Sequence, residues 1–510
     1  MRFNLGKAWL AALLVTVACG GTDEATEPAA AAPPIEPAAA APALADLVEI
    51  DQVDVLQGTT ATIVSEAAKV TKRNAPVIAG RPGMLRIHAR PFIKGKKLPA
   101  LTAEIRFQMP GKPDVVRTDG PRELLAYSPG ELSSTFNFEL EADAIEADTR
   151  ISVTLRDPKA PNDPGAVMLG GESLHLDAKT HGTKLRVEFV PVRYDADGSG
   201  RLSPLDEKAV AAYKNALYKL YPVRDVEVRV RTEQLPWSIP VEARGTGWNQ
   251  LLSAMMGLRR SDGVDDDIYY VGIFAPAPSI KEYCKRGCIL GVAPNTFFND
   301  VGLRTSMVVA FDDARAADGT LAQELAHAMN RAHAPCGVSE FVDEKYPYPD
   351  AAIGVPGWDI VKKELIDPDS RRFDFMSYCG PVWTSDWTFA GIQREMEAVA
   401  DEKLATGKVS LDDKPLARTF VVSGAGDMAL GPQMPVRADM LDDTGTSVRY
   451  EDAAGNTLSV SRAGWRSTPS TGGGILFAND PPKGAVRVRV DGRAIRGREL
   501  TPRLGERALF

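Results

Sequence analysis

One short segment carries residue types at a spacing that could do chemistry: Gln323-Glu324-Leu325-Ala326-His327-Ala328-Met329-Asn330-Arg331-Ala332-His333. On a helix, residues four apart share a face, so Gln323 and His327 point the same way. Glu324 sits one residue round, where it could polarise a water held by a metal on that face. His333 falls beyond Asn330, a residue that tolerates the left-handed turn needed to end a helix and swing the chain back. Two imidazoles beside a carboxylate are residue types that could hold a metal ion and activate a water on it. Gln323, on the face of His327, offers a neutral amide oxygen, a weaker donor than an imidazole. The sequence offers no evident substitute, since the other histidines are His88, His175 and His181.

Other candidates have duller accounts. A helical Glu-x-x-His is by itself usually surface charge. Asp195-Ala196-Asp197-Gly198-Ser199-Gly200-Arg201-Leu202-Ser203-Pro204-Leu205-Asp206 fits an EF-hand-like calcium loop, with oxygens from Asp195, Asp197 and Ser199, Gly at the sixth place and Asp206 at the twelfth. The favoured reading is an Asp/Gly-rich turn capping the next helix, with calcium as the alternative. Asp386, between two tryptophans, reads as a helix N-cap rather than a catalytic acid.

The elements that must position these residues follow from periodicity. From about Leu47 to Lys179 apolar residues alternate, as in Leu85, Ile87 and Ala89, in Ala103, Ile105 and Phe107, in Phe136, Phe138 and Leu140, and in Ile151, Val153 and Leu155. Pro110-Gly111 and Pro129-Gly130 mark turns between them, and the segment 47–180 is expected to be a β-sandwich. After His181 strands alternate with helices: a strand at Leu185 to Val192, a helix over Asp206 to Leu220, a strand at Val226 to Arg231 and a helix around Trp248 to Leu258. Buried strands follow at Ile268 to Phe274 and Met307 to Phe311, then a helix opening near Thr320 and another from Trp387 to Lys403. That order implies an α/β domain with a mostly parallel sheet over 181–405. Residues 410–510, with Val486, Val488 and Val490, are expected to form a small sandwich-like β domain.

The chain of 510 residues divides into about three domains on length alone, and its net charge of −8 is dispersed, which argues against nucleic acid as a partner. Arg2 and Lys7 precede an apolar run from Ala8 to Ala18, long enough for a secretory leader over 1–18 and too short to span a bilayer. The run ends Thr16-Val17-Ala18-Cys19-Gly20, similar to a bacterial lipobox, which implies lipidation of Cys19 and a cell-envelope lipoprotein, or else plain secretion. Residues 19–46 are Ala- and Pro-rich and read as a tether. The only membrane contact expected is the lipid anchor. The remaining cysteines, Cys284, Cys288, Cys336 and Cys379, are even in number, which in an oxidising compartment implies two disulfides. Sequence allows three connectivities; Cys284–Cys288 with Cys336–Cys379 is favoured. A zinc site of four cysteines is the weaker reading, because Cys284 and Cys288 have no second pair at matching spacing.

The segment from Gln323 to His333 resembles the metzincin pattern H-E-x-x-H-x-x-G-x-x-H, with Gln for the first His and Asn for the Gly. Asp374-Phe375-Met376-Ser377-Tyr378 looks like the metzincin Met-turn, with Tyr378 where relatives carry an oxyanion-stabilising tyrosine. Taken alone, Met376 would be core packing and Tyr378 a structural hydrogen-bonding residue. The runs Tyr378-Cys379-Gly380-Pro381-Val382-Trp383-Thr384-Ser385-Asp386-Trp387 and His333-Ala334-Pro335-Cys336, with the Asp195 loop, are similar to secreted mucin-cleaving metzincins. The resemblance covers roughly His181 to Lys403. It implies a central metzincin-like α/β domain and a monomeric zinc endopeptidase acting on extracellular protein or glycoprotein. In that reading Gln323, His327 and His333 hold zinc, Glu324 is the general base and Tyr378 assists. The alternative implied by Gln323 is an inactive relative that binds proteins or glycans in the same cleft. A third reading makes the flanking β domains the working parts and the centre a scaffold.

Overall fold

A computed structural model describes residues 42–297, 300–311, 317–406, 415–424, 426, 428–441 and 445–491. The leader, Cys19 and most of the tether lie outside the described residues. The chain is built of several sheets with few helices.

The alternation in the N-terminal third builds two sheets. One orders its strands Ala68–Lys69, Thr60–Ser65, Val48–Leu56, Gly83–Pro91 and Phe136–Leu140; the other runs Leu174–His175, Arg150–Arg156, Leu101–Gln108 and Val115–Arg122, with Ala166–Val167 beside Arg150–Arg156. Leu101–Gln108 alternates buried and half-buried residues along its whole length, which turns Ala103, Ile105 and Phe107 into a shared core with Ile87, Phe136 and Val153. Phe389, from a helix almost three hundred residues further on, enters the same core.

The central sheet holds β1 (Lys184–Tyr194), β2 (Asp225–Val230), β3 (Ile268–Phe274), β4 (Gly291–Val292) and β5 (Thr305–Val309) in the order β2-β1-β3-β5-β4. All neighbours are parallel except β4, which runs antiparallel to β5 at the edge. Every residue of β3 and β5 is buried, because both faces are covered. On one face α1 (Glu207–Leu220) contributes Tyr213, Leu217 and Leu220. On the other, α2 (Trp248–Asp262) contributes Trp248, Leu251, Leu252, Met255 and Met256. Asp206 caps α1, accepting from Ala209 N at 2.9 Å. The helix expected near Thr320 is short: a π-wound turn, Ala317–Leu321, leads into α3 (Ala322–His327). The last helix, α4 (Asp386–Thr406), is capped by Ser385, whose Oγ accepts from Thr388 N at 3.1 Å. This corrects the expectation for Asp386, whose carboxylate instead accepts from the Tyr348 hydroxyl and from Asn74 Nδ2, tying α4 to the N-terminal sheets.

The C-terminal region is a six-stranded antiparallel sheet that folds over on itself, so that its two halves face each other across a small core as in the expected sandwich-like domain. Its order is Met428–Pro435, β6 (Leu416–Val422), β8 (Gly473–Ala478), β7 (Thr457–Thr468), Thr446–Glu451 and Arg487–Asp491. The long β7 carries the fold-over: its first half pairs with Thr446–Glu451 and its second half with β8, and Phe420, Leu476 and Ala478 from one half share a core with Val448, Tyr450, Val488 and Val490 from the other. Val488 and Val490 are buried in it, while Val486 precedes the strand and stays exposed. The other side of the sheet packs Ala417, Met434, Ile475 and Phe477 into the core beneath α2. A buried ion pair pins it further, with Arg466 Nε 2.6 Å from Asp300 Oδ2. The described residues from Ala43 onward thus form one compact unit.

Candidate active site

Gln323 and His327 sit at the two ends of the single α-turn of α3, one turn apart and both buried. The helix stops at once. Met329 and Asn330 bond back to Ala326 and His327 carbonyls, and Asn330 takes φ 59°, the left-handed conformation that a short polar side chain tolerates. The chain then reverses, and His333 N donates to Phe341 O at 2.9 Å, which sets the His333 ring opposite His327. Thr296, just past edge strand β4, supports the helix end by donating from Oγ1 to Ala328 O at 2.8 Å.

The result is a close pair: His327 Nε2 and His333 Nε2 lie 3.1 Å apart. The other ring nitrogens fix what these two carry. His327 Nδ1 faces Arg331 O at 2.6 Å and His333 Nδ1 faces Glu340 O at 3.1 Å. A carbonyl only accepts, so each Nδ1 must hold the proton and donate. Burial lowers both imidazoles from their ordinary range, His327 to about 3 with His333 adding to the effect, so both rings are neutral. Each Nε2 is then a bare lone pair, and the two point at one spot. Two acceptors at hydrogen-bond distance with no hydrogen between them repel, and a cation removes the conflict. Carbonyl-oriented imidazoles of this kind are what metal-binding histidines show.

Two further buried atoms on the same short helix, Gln323 Nε2 and Glu324 Oε2, have no hydrogen-bond partner in the protein. The amide of Gln323 can present oxygen to a metal by exchanging the places of its O and N. Among the described residues no group of three or more His, Cys, Asp or Glu side chains gathers to hold a metal. Glu324 is buried, and burial lifts its carboxyl to about 8, against a downward pull from the Ser470 hydroxyl, which donates to Oε1 at 3.0 Å.

The floor beneath the pair is the turn at Met376. Asp374, fully buried, accepts from Met376 N at 2.8 Å and from Ser385 N at 2.9 Å, and Ala334 N donates to Met376 O at 3.0 Å. Tyr378 N donates to Cys336 O at 3.0 Å, and the Cys336–Cys379 disulfide locks the same two segments. The Tyr378 ring stands edge-on to His333, with centroids 5.0 Å apart, and is half exposed to the cleft. Burial of its inner part and the nearby Glu324 charge push its phenol up to about 12, so it is a donor at neutral pH. Together His333, Tyr378, Arg244, Gln250, Trp465 and Ser470 line a cleft of about 880 Å³.

The sequence singled out Gln323, Glu324, His327, His333, Met376 and Tyr378, and the fold brings them to this one place. Asp374 entered the sequence pattern only as part of the Met376 turn, without a role, and Gly291 and Ser470 were missed, because no local pattern signals residues that act across the fold. The Asp195 loop is separate. Asp206 is spent on the α1 cap, and Asp197, held at about 2 by the Ser199 hydroxyl and then by Arg201, pairs with Arg201 at 2.6 Å. Among the described residues Asp195, Asp197 and Asp206 do not gather into one metal-holding group. The second disulfide joins Cys284 to Cys288, and two such bonds mark a protein of an oxidising, extracytoplasmic compartment. No helix among the described residues is long and apolar enough to cross a membrane.

No protein-family model matches this chain, and no curated protein does. Among solved structures it aligns with metalloproteinase-II from Bacteroides fragilis over 54% of this chain and 78% of that one, at 10% identity and a TM-score of 0.20, a likeness too slight to carry an argument.

Proposed function

We propose that the chain is a zinc-dependent endopeptidase of metzincin type, carried as an exported, lipid-anchored or secreted protein and acting on extracellular protein or glycoprotein. The observation that carries this reading is the pair of neutral imidazoles whose Nε2 lone pairs meet at 3.1 Å beside a buried carboxylate. His327, His333 and the Gln323 amide would hold the metal, which when bound supplies a Lewis acid for the scissile carbonyl. The Glu324 carboxyl would be drawn down from about 8 by a cation held at the pair, and in that ionised form, with Oε2 unpartnered, it would take the proton of the attacking water and pass it to the leaving amine. The Tyr378 phenol, protonated and facing the cleft, would donate to the tetrahedral oxyanion.

Gln323 favours a second reading, a metal-poor cleft that binds peptide or glycan without cutting it. Elemental analysis of the purified protein, with casein and mucin digestion by wild type and Glu324→Ala, separates the two. Near-stoichiometric zinc with cleavage abolished by Glu324→Ala is the expected result. Absence of both zinc and cleavage, even with zinc added, would leave the binding reading.

A further inference from the structure

We propose that Ser470, delivered by the C-terminal sheet, positions the Glu324 carboxylate, which makes that sheet part of the catalytic unit. The inference rests on the peptidase reading for its kinetic consequence, but its structural content stands on the contacts alone.

Glu324 is clamped between two groups that lie far from it in the chain. On one side is edge strand β4: a Cβ at Gly291 would fall 2.3 Å from Glu324 Cγ and 2.8 Å from its carboxyl carbon, so only a glycine lets the side chain lie flat there. On the other side is the turn Pro469–Thr471 between β7 and β8, where the Ser470 hydroxyl donates to Glu324 Oε1 at 3.0 Å. The same hydroxyl lies against the Tyr378 phenol. Holding Oε1 leaves Oε2 as the free oxygen, which is the arrangement a base needs if one oxygen is to be fixed and the other is to work.

The turn is itself held on several sides. Thr471 Oγ1 donates to Asn249 Oδ1 at 3.2 Å, and Asn249 Nδ2 donates to Val422 O at 2.7 Å, which ties the turn to α2 and β6. The Thr468 and Thr471 hydroxyls are 2.7 Å apart, and Gly472 takes φ +64° to leave the turn. Asn295 N, beyond β4, donates to Ser467 O at 2.8 Å, which joins the two sides of the clamp to each other. With Arg466 bonded to Asp300 two residues earlier and Ile475 and Phe477 in the core under α2, the sheet is a permanent wall and not a detachable plug. A permanent hydroxyl on the base is a support.

Two measurements test this. In kinetics, Ser470→Ala should lower kcat about 10–100-fold with KM little changed, as expected when one charge-assisted hydrogen bond that aims a catalytic group is removed, and Ser470→Thr should restore most of the loss. In crystal structures, the Glu324 carboxylate should hold one orientation in wild type and Ser470→Thr and swing away from it in Ser470→Ala. A Glu324 carboxylate unmoved in Ser470→Ala overturns the proposal, as does unchanged kcat; a rise in kcat overturns it too, since Ser470 would then be a blocking group. If wild type cleaves nothing, the peptidase reading fails by itself, and the crystal structures still decide whether Ser470 holds Glu324.

Discussion

Replacing Gln323 by His perturbs the site at the one donor that departs from an all-imidazole set. The rest is already arranged: His327 Nε2 and His333 Nε2 are 3.1 Å apart. Two bonds of 2.0–2.1 Å to a tetrahedral zinc would place those nitrogens about 3.3–3.4 Å apart, so the pair has only a few tenths of an ångström to give. Position 323 lies one turn before His327 on the same face of α3 and is buried, and its Nε2 makes no hydrogen bond that the replacement would strand. Removing a residue that merely orients a metal ligand costs about 10–100-fold in affinity. Exchanging a neutral amide for an imidazole as the ligand itself should gain at least that much. By linkage, 10–100-fold tighter binding adds roughly 1.4–2.7 kcal/mol of stability at a free zinc level above both dissociation constants. The assay is competition for zinc against a chromophoric chelator, with thermal melts in zinc and in chelator, for wild type, Gln323→His and His327→Ala. The expected order of affinity is Gln323→His, then wild type, then His327→Ala. Equal affinity in wild type and Gln323→His, or undiminished affinity in His327→Ala, would refute the ligand assignment.

Two predictions concern the frame around the site. Arg466→Met leaves Asp300 charged and buried, with its side chain 2% exposed, so stability to denaturant should fall by about 3–5 kcal/mol; adding Asp300→Asn should recover much of it, and a simple sum of the two single losses would show that the pair does not act as one. Asp54, on the strand Val48–Leu56, has its carboxyl raised from 3.8 to about 6 by burial, despite hydrogen bonds from Thr62 and Gln52 and the charge of Arg86. The folded state therefore keeps this proton between about pH 4 and 6 while the unfolded chain has lost it, so stability from this group is greatest below that window and falls as pH rises through it, by up to about 3 kcal/mol. Asp54→Asn should flatten that slope in denaturation curves taken across the window; an unchanged slope would assign it to other groups.

What the sequence disclosed and what it hid divide along a physical line. Period-2 alternation disclosed the strands around Ala103, Ile105 and Phe107, because one face of each is buried whatever the partner. The spacing from Gln323 to His327 and the left-handed Asn330 were legible for a similar reason, since helix pitch and backbone sterics act within a few residues. The extent of α3 was not: its first turn is π-wound and it ends at His327, because the chain must turn back to His333, a demand of tertiary contacts on the segment Phe341 to Asp343. The strand pairing of the C-terminal domain was not legible, because alternation is blind to which strand pairs with which, and β7 pairs with Thr446–Glu451 along its first half and with β8 along its second.

The same blindness explains the missed residues. Gly291 and Ser470 serve a site whose core is a stretch of eleven residues, and Ser470 lies 146 positions beyond the Glu324 it contacts. A local pattern can nominate ligands, since the metal selects residue types at fixed offsets along one helix. The groups that aim those ligands are free to come from anywhere, provided that they arrive as one donor, one acceptor or one missing Cβ. That freedom makes the second set variable in kind, and it makes the wall from the C-terminal sheet the part of the site most open to test: Ser470 is a single hydroxyl, and removing it leaves the core beneath α2, the Arg466–Asp300 pair and the two imidazoles untouched.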